Sequence, residues 1–221
     1  MRTRLLTFAA AIGVVATMLP SHAATAPAVP KPQVTDPAGD ANGINDQGAG
    51  AANVSFSGPA DDANADITSV LFATKFKTVT TTKTVTTVVK KKKVVKKVTV
   101  TTQVPDGFTV TLALSAAPDG NHTYDVNATH PVCSGSLDFT YSGGPLGLNE
   151  VDCIDAADPT NISTMPGEAA VVGNTVVWTI PAGAFANGSV FSDLTAQTGT
   201  PLAAAVMDQA GDGTASYKVG S

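Results

Sequence analysis

The chain contains many short segments that suit β-strands, and this pattern restricts the folds open to it. Runs rich in Val, Thr and aromatic residues recur along it, separated by Gly, Pro, Asn and Asp. The predicted strands are 67–72, 107–114, 122–128, 136–141, 151–154, 169–172, 175–180, 202–207 and 216–219. Residues 181–186 suit one short helical turn. We therefore predict an all-β protein, a single jelly-roll-like antiparallel β-sandwich.

The segment 76–103 consists almost wholly of Thr, Val and Lys, and its two halves are rough mirror images about Lys90–Lys93. This predicts a long protruding β-hairpin, inserted into the domain, with lysines at its tip. One interpretation is that the lysines protect exposed strand edges from pairing with other chains. The other is a cationic finger that binds anionic polymers, such as cell-wall phosphate polymers or lipid headgroups. The residues proposed for that binding are Lys90, Lys91, Lys92, Lys93, Lys96 and Lys97.

The N-terminus has the features of a secretory signal peptide. Arg2 and Arg4 precede an apolar run, and Ser21-His22-Ala23 offers small residues for cleavage, so we predict a signal peptide over 1–23. A Pro-rich linker (24–35) and the sandwich domain (36–221) follow, with no later transmembrane segment expected. The protein is thus expected to be secreted or cell-wall associated. In that setting Cys133 and Cys153 predict a disulfide.

Charge and residue usage argue against several classes of function. Without Arg2 and Arg4 the basic count falls from 13 to 11 against 18 acidic residues, a net charge of about −7, so nucleic acid is not an expected partner. The chain has no Gly-x-Ser-x-Gly motif, and His122 and His130, which lie in no metal or catalytic motif, are predicted to be surface residues. We therefore predict a protein that is not an enzyme.

Two acidic turns of similar sequence lie near the ends of the predicted domain. They are Asp36-Pro37-Ala38-Gly39-Asp40 and Asp208-Gln209-Ala210-Gly211-Asp212. Glycine lets each turn fold back, so that its two carboxylates can face one point, as the oxygen ligands of calcium must. This predicts calcium ligands at Asp36, Asp40, Asp208 and Asp212; the alternative is two ordinary turns. A second cation site is conceivable at Glu150, Asp152 and Asp155.

The order of these motifs supports a family resemblance. An Asp-Pro-x-Gly-Asp loop, an acidic residue leading a strand at Asp66-Ile67-Thr68, and a terminal Tyr217-Lys218-Val219-Gly220 follow one another. The chain thereby resembles secreted actinobacterial β-sandwich domains, which are similar to DOMON-like modules and family 9 carbohydrate-binding modules. The resemblance implies a jelly-roll-like sandwich with calcium near the chain ends, and Asp36, Asp40 and Asp66 as matching ligands. The paired tryptophan sugar clamp of that family is not matched, since Trp178 is the only tryptophan.

The leading functional hypothesis is a non-catalytic extracellular or cell-envelope binding module with a structural calcium. One alternative is a carbohydrate-binding module, although Trp178 shares a strand face with Val176 and Ile180 and is predicted to lie in the core. The other is a wall-associated protein held by its lysine hairpin. Wall polymer and glycan are thus the candidate partners, and the oligomeric state stays open.

Overall fold

The computed structural model describes residues 29–39, 41, 62–89, 92–144, 147–200 and 206–221. Several predictions fall outside this part of the chain. They concern the signal peptide, Asp40, Lys90, Lys91 and most of the loop between Asp36 and Asp66.

The described residues form two antiparallel sheets that pack face to face, as the sequence predicted for an all-β sandwich. The strands are β1 (Val34–Thr35), β2 (Ile67–Val89), β3 (Lys92–Leu114), β4 (Thr123–Thr129), β5 (Ser136–Ser142), β6 (Asn149–Ile154), β7 (Ile162–Thr164), β8 (Glu168–Val172), β9 (Thr175–Ile180), β10 (Val190–Gly199), β11 (Val206–Ala210) and β12 (Tyr217–Lys218). The first sheet has the order β1-β2-β3-β9-β8. The second has the order β11-β10-β4-β5-β6-β7, and β12 also pairs with β10. In the described part of the chain, no helix is long and apolar enough to cross a membrane.

Alternation of apolar and polar residues decides which face of each strand enters the core. In β4, Tyr124, Val126 and Ala128 are buried while the residues between them are partly exposed. β9 follows the same rule, and its Trp178 is fully buried, as predicted. Since successive side chains of a strand point to opposite faces, one slip of register would expose this whole set.

One end of the core is filled mainly by aromatic rings. Phe72 of β2 lies 5.8 Å from Phe139 and 5.8 Å from Phe191, measured between ring centroids. Tyr217 lies 5.4 Å from the same ring. These rings come from β2, β5, β10 and β12, so they join both sheets and the chain end. Each such side chain contributes roughly 1.5–3 kcal/mol through burial.

Beyond the sandwich, β2 and β3 continue as a two-stranded ribbon. They pair without interruption from Phe76 opposite Pro105 to Val89 opposite Lys92. At the base of the ribbon, a bulge at Asp106 and Gly107 separates it from the part of β3 that pairs with β9. We call the segment from Phe76 to Pro105 the ribbon.

The structure adds three strands to those predicted. β1 lies at the end of the predicted linker, β7 is short and exposed, and β10 is the longest strand outside the β2–β3 hairpin. Asp193 in β10 has a positive φ of 54°, and the register with β4 shifts between Ser192 and Thr195. Residues 181–186, predicted as a helical turn, contain only non-helical turns.

The predicted disulfide is present. Cys133 and Cys153 are bonded, with their Cα atoms 5.2 Å apart, and no free cysteine remains. Because Cys153 lies in β6 and Cys133 precedes β5, the bond ties the loop before β5 to the neighbouring strand.

Candidate functional site

The two acidic turns border one cavity at the open side of the sandwich. A space of about 670 Å³ lies between β1 and β11, the edge strands of the two sheets. Its lining residues are Gln33, Val34, Thr35, Asp36, Pro37, Gln209, Gly211, Asp212, Thr214 and Ala215. Asp36 from the first turn and Asp212 from the second thus face the same space, which we call the chain-end cavity.

Asp66 uses its carboxylate to hold the N-terminal turn. It is 1% exposed. The Gly39 amide donates to its two oxygens at 3.0 and 2.9 Å, and the Ser115 hydroxyl donates to Oδ2. A buried charge is costly unless hydrogen bonds replace its hydration, and these donors fulfil that requirement. Asp66 therefore joins the N-terminal turn after β1 to the chain that leaves β3.

Asp208 performs a similar task between the sheets. It is 1% exposed, and its Oδ2 accepts a hydrogen bond of 2.6 Å from the Ile67 amide while Oδ1 accepts one of 2.8 Å from its neighbour Gln209. The Thr198 hydroxyl donates to the Ala65 carbonyl at 2.7 Å in the same region. Through these bonds, β10 and β11 of the second sheet are fixed to the start of β2 in the first.

The residues predicted as calcium ligands therefore occupy two different settings. Asp66 and Asp208 face backbone donors in the protein interior, whereas Asp36 and Asp212 border the chain-end cavity. The side chain and amide of Thr214 donate to Asp212 and lower its pKa. Within the described residues, no group of three or more His, Cys, Asp or Glu side chains is placed to hold a metal ion.

His122 and His130 are both buried, although the sequence predicted them at the surface. His122 lies between two carboxylates: Nδ1 is 2.7 Å from Asp119 Oδ1 and Nε2 is 3.2 Å from Asp62 Oδ2. Burial acts to raise the pKa of Asp119, but hydrogen bonds from Asn121 and His122 outweigh it, so that pKa lies below its usual value. The three side chains join the turn before β2 to the loop before β4.

His130 is buried for a different reason. Its ring packs 4.9 Å from Phe185 and 4.7 Å from Phe191, between centroids, and burial lowers its pKa. These contacts join residues far apart in the chain, so the sequence did not indicate them. For His122, by contrast, a signal was present: His122 and Tyr124 fit the polar–apolar alternation at the start of β4.

The outer face of the second sheet carries a group of carboxylates that was not predicted to form one cluster. Asp138 of β5 lies directly opposite Asp152 of β6, and Asp125 of β4 lies on the same face. Burial raises the pKa of Asp125 to about 6, aided by the charge of Asp138 and opposed by a hydrogen bond with Thr140. Burial also raises the pKa of Asp138, and Asp152 adds to the effect. Like charges opposite one another destabilise a sheet, and here they add to the larger effect of burial on these two pKa values.

The predicted second cation trio is divided by the structure. Glu150 and Asp152 are two residues apart on one face of β6, and a hydrogen bond between them raises the pKa of Glu150. Asp155 follows the strand, where the Ala157 amide donates to it at 2.9 Å and lowers its pKa. The trio therefore comprises two neighbouring side chains on β6 and a separate turn residue.

The lysines of the ribbon are exposed wherever the structure describes them. Lys92, Lys93, Lys96 and Lys97 all lie on the surface. Nine of the 11 basic residues outside the predicted signal peptide fall between Lys75 and Lys97. Of the lysines in the described ranges, Lys77 is the one with an ion pair, to Asp106 at 2.6 Å. The ribbon thus concentrates positive charge on a chain whose net charge is negative.

The aromatic residues offer no exposed platform in the described part of the chain. Trp178 and Tyr124 are fully buried, and Tyr217 is 6% exposed. The large apolar side chains that are exposed are all Val or Ile. Trp178 donates from Nε1 to the Thr140 carbonyl at 3.3 Å, and its ring packs edge-on against Phe139.

Comparison of the chain with models of known families, with curated proteins and with solved structures finds no match. The function proposed for this protein therefore depends on the geometry of its own residues.

Proposed function

We propose that this protein is an exported, non-catalytic binding module that attaches to anionic polymers of the cell envelope through its ribbon. The observation that carries the proposal is a cationic ribbon that stands apart from the core. Its described residues between Phe76 and Pro105 pair with neither β1 nor β9, so they add nothing to the core between the sheets. A feature that the fold does not require, and that gathers most of the positive charge, suits recognition of a negatively charged surface.

Polyphosphate-like chains fit the ribbon better than nucleic acids or neutral glycans. Flexible lysines bind phosphate as point charges without demanding a fixed geometry. The described surface has no exposed aromatic ring for stacking on a base or a sugar. The carbohydrate-binding alternative loses support for the same reason, because Trp178 is buried.

A salt-dependence experiment tests the proposal. The mature protein is applied to immobilised polyphosphate, and its affinity is measured over a series of salt concentrations. Replacement of Lys92 and Lys93 by Gln should weaken binding and reduce the slope of log affinity against log salt by about one to two. Lys31→Gln with Lys218→Gln removes the same charge away from the ribbon and should change the slope much less. Equal losses in the two variants would refute attachment through the ribbon.

We also propose that calcium binds in the chain-end cavity and stabilises the fold. Support comes from the cavity itself, where Asp36 and Asp212 from opposite ends of the domain face one space. Two carboxylates are fewer than the six to eight oxygens that calcium takes, so backbone carbonyls, water or Asp40 would have to contribute. Asp66 and Asp208 would have to release their amide partners to join them.

A melting curve in EDTA and then in millimolar calcium tests this second proposal. Preferential binding to the folded state should raise the melting temperature by several degrees with calcium but not with magnesium. Asp36→Asn should remove that rise. An unchanged melting temperature in calcium would leave the two acidic sequences as ordinary turns.

A further inference from the structure

The edge of β2 that faces away from β3 is open along the ribbon. β1 pairs with β2 only at Ser69 and Val70. The Gln33 side chain then continues this pairing for one residue, since it accepts from the Phe72 amide at 2.6 Å and donates to the Phe72 carbonyl at 3.3 Å. Beyond Phe72, no strand of the described chain pairs with this edge. Backbone groups that could accept another strand therefore extend to the end of β2.

A two-stranded ribbon of this length needs more than its own pairing. Isolated hairpins are marginal in water, and three or more strands with an apolar face are required for independent stability. The two faces of the ribbon differ in composition. The register places Val79, Val85, Val94, Val98, Val100 and Val104 on one side, the valine face, together with Lys77, Thr81, Lys83, Lys92, Lys96 and Thr102. The other side, the threonine face, carries Thr78, Thr80, Thr82, Thr84, Thr86, Thr99 and Thr101, together with Val88, Lys93, Val95, Lys97 and Gln103. Additional strands would complete this small two-sided sheet.

The two edges of the ribbon are not equally protected. Lysine in an edge strand is a common device against pairing with other chains. The stretch Lys92–Gln103 of β3 holds four lysines, whereas the facing stretch Thr78–Val89 of β2 holds only Lys83. Thr and Val, which favour strands, make up the rest of that β2 stretch. The β2 edge is therefore the one suited to accept a partner strand.

We infer that this edge pairs with the same edge of a second copy of the chain. The two β2 strands run antiparallel about a two-fold axis at Thr82, and together the ribbons form a four-stranded sheet. In this register Thr80 lies opposite Thr84 of the second copy, and Val79 lies opposite Val85 of the second copy. Thr–Thr and Val–Val neighbours are favourable cross-strand pairs, and the two-fold axis repeats each of them.

Other registers are less favourable for identifiable reasons. A shift of the axis to Lys83 would place that lysine directly opposite its own copy, which destabilises a sheet. A slip of one residue would bring the valine face of one ribbon to the threonine face of the other. Pairing centred at Thr82 instead sets Lys83 opposite Thr81 of the second copy.

Length and charge predict a weak dimer. Phe76 to Val88 spans roughly 43 Å, and an edge contact of that length buries less than the roughly 1,200 Å² of a stable interface. The antiparallel arrangement keeps the two lysine tips at opposite ends. Both ribbons are nevertheless cationic, so salt should strengthen the dimer by screening their repulsion. Binding to polyphosphate weakens with salt, so the opposite signs separate this inference from the proposed function, on which it does not depend.

Sedimentation velocity across the micromolar range tests the inference on the mature protein. We expect a monomer–dimer equilibrium that shifts toward dimer as salt rises. Thr80→Lys with Thr82→Lys should raise the dimer dissociation constant about tenfold, since the lysine at position 82 then lies directly opposite its own copy and the lysine at position 80 lies diagonal to it. Thr99→Lys with Thr101→Lys is the matched control. These residues lie directly opposite Thr82 and Thr80 on the same face but belong to β3, so the control should dimerise almost normally.

A cysteine experiment tests the register. Directly opposed residues in antiparallel strands have Cα atoms about 4.5–5.5 Å apart, within the range of a disulfide. Thr82→Cys should therefore form a covalent dimer under mild oxidation. Thr80→Cys should not, because its own copy would lie roughly 13 Å away along the strands. A protein that stays monomeric at all concentrations and salts would overturn the inference, and so would equal weakening by both lysine pairs or equal crosslinking at both positions.

Discussion

The role of Asp66 can be tested by replacing it with alanine. The carboxylate accepts hydrogen bonds from the Gly39 amide and the Ser115 hydroxyl, and bonds to a charged group contribute about 1.5–3 kcal/mol each. Both donors lie near the surface, so water would replace part of what is lost. We expect Asp66→Ala to lower the free energy of unfolding by about 2–3 kcal/mol, which corresponds to a fall in melting temperature of roughly 4–12 °C in a domain of this size.

Chemical denaturation monitored by Trp178 fluorescence measures this change. Asp66→Asn keeps one acceptor oxygen and should cost about 1 kcal/mol. If Asp66 acts only on the Gly39 amide and the Ser115 hydroxyl, the losses will be the same in EDTA and in calcium. The reasoning would be refuted by a loss below about 0.5 kcal/mol, or by a loss that appears only when calcium is present.

Three further changes test other parts of the structure, each by chemical denaturation. The folded state favours protonated Asp125, whose pKa is about 6, so the ionised carboxylate destabilises the fold above that pH. Asp125→Asn should therefore add about 1–3 kcal/mol to the free energy of unfolding at pH 7.5 and almost nothing near pH 4. Equal gains at both pH values would contradict the assignment. Gly107→Ala should cost about 2–4 kcal/mol of stability, because φ is 89° and a methyl group would collide with the Ile180 carbonyl oxygen. Gly183→Ala is the control, since its φ is 90° but the space around it is open, and it should cost about 1 kcal/mol. Similar costs for the two variants would show that the collision is relieved. Trp178→Ala should cost about 3–5 kcal/mol by leaving a cavity, and loss of glycan binding in a variant of normal stability would instead favour the carbohydrate-binding alternative.

The predicted response of stability to pH and its predicted response to calcium are independent, because they arise in different parts of the structure. Asp125 lies on the outer face of the second sheet, while Asp36 and Asp212 border the chain-end cavity. A calcium effect on melting should therefore persist in Asp125→Asn.

Local sequence was sufficient for most strands and for the fold class. In β4, β5 and β9 the alternation of apolar and polar residues is regular, and the predicted bounds agree with the structure to within one residue. β10 was missed because its alternation is broken. The bulge near Asp193 moves Leu194, Ala196 and Thr198 onto the inner face out of step with Phe191, so a strict period of two does not fit.

The ribbon was also predictable, since it is built from local pairing alone. Its two halves are complementary in sequence and adjacent in the chain, and β2 and β3 pair as the mirror symmetry indicated. The disulfide was predictable for a different reason. A chain that is expected to be exported and has two cysteines allows one pairing, and the structure contains it.

By itself, then, the sequence determined the all-β class, the hairpin, the disulfide and the concentration of positive charge. Tertiary structure alone decided what each acidic and histidine side chain faces. Asp208 and Asp212 belong to the same acidic turn, yet Asp208 accepts a hydrogen bond from the Ile67 amide in the interior, whereas Asp212 borders the chain-end cavity together with Asp36. The physical reason is that a carboxylate's partners come from residues distant in the chain: 141 positions separate Asp208 from Ile67. No local pattern encodes such a distance.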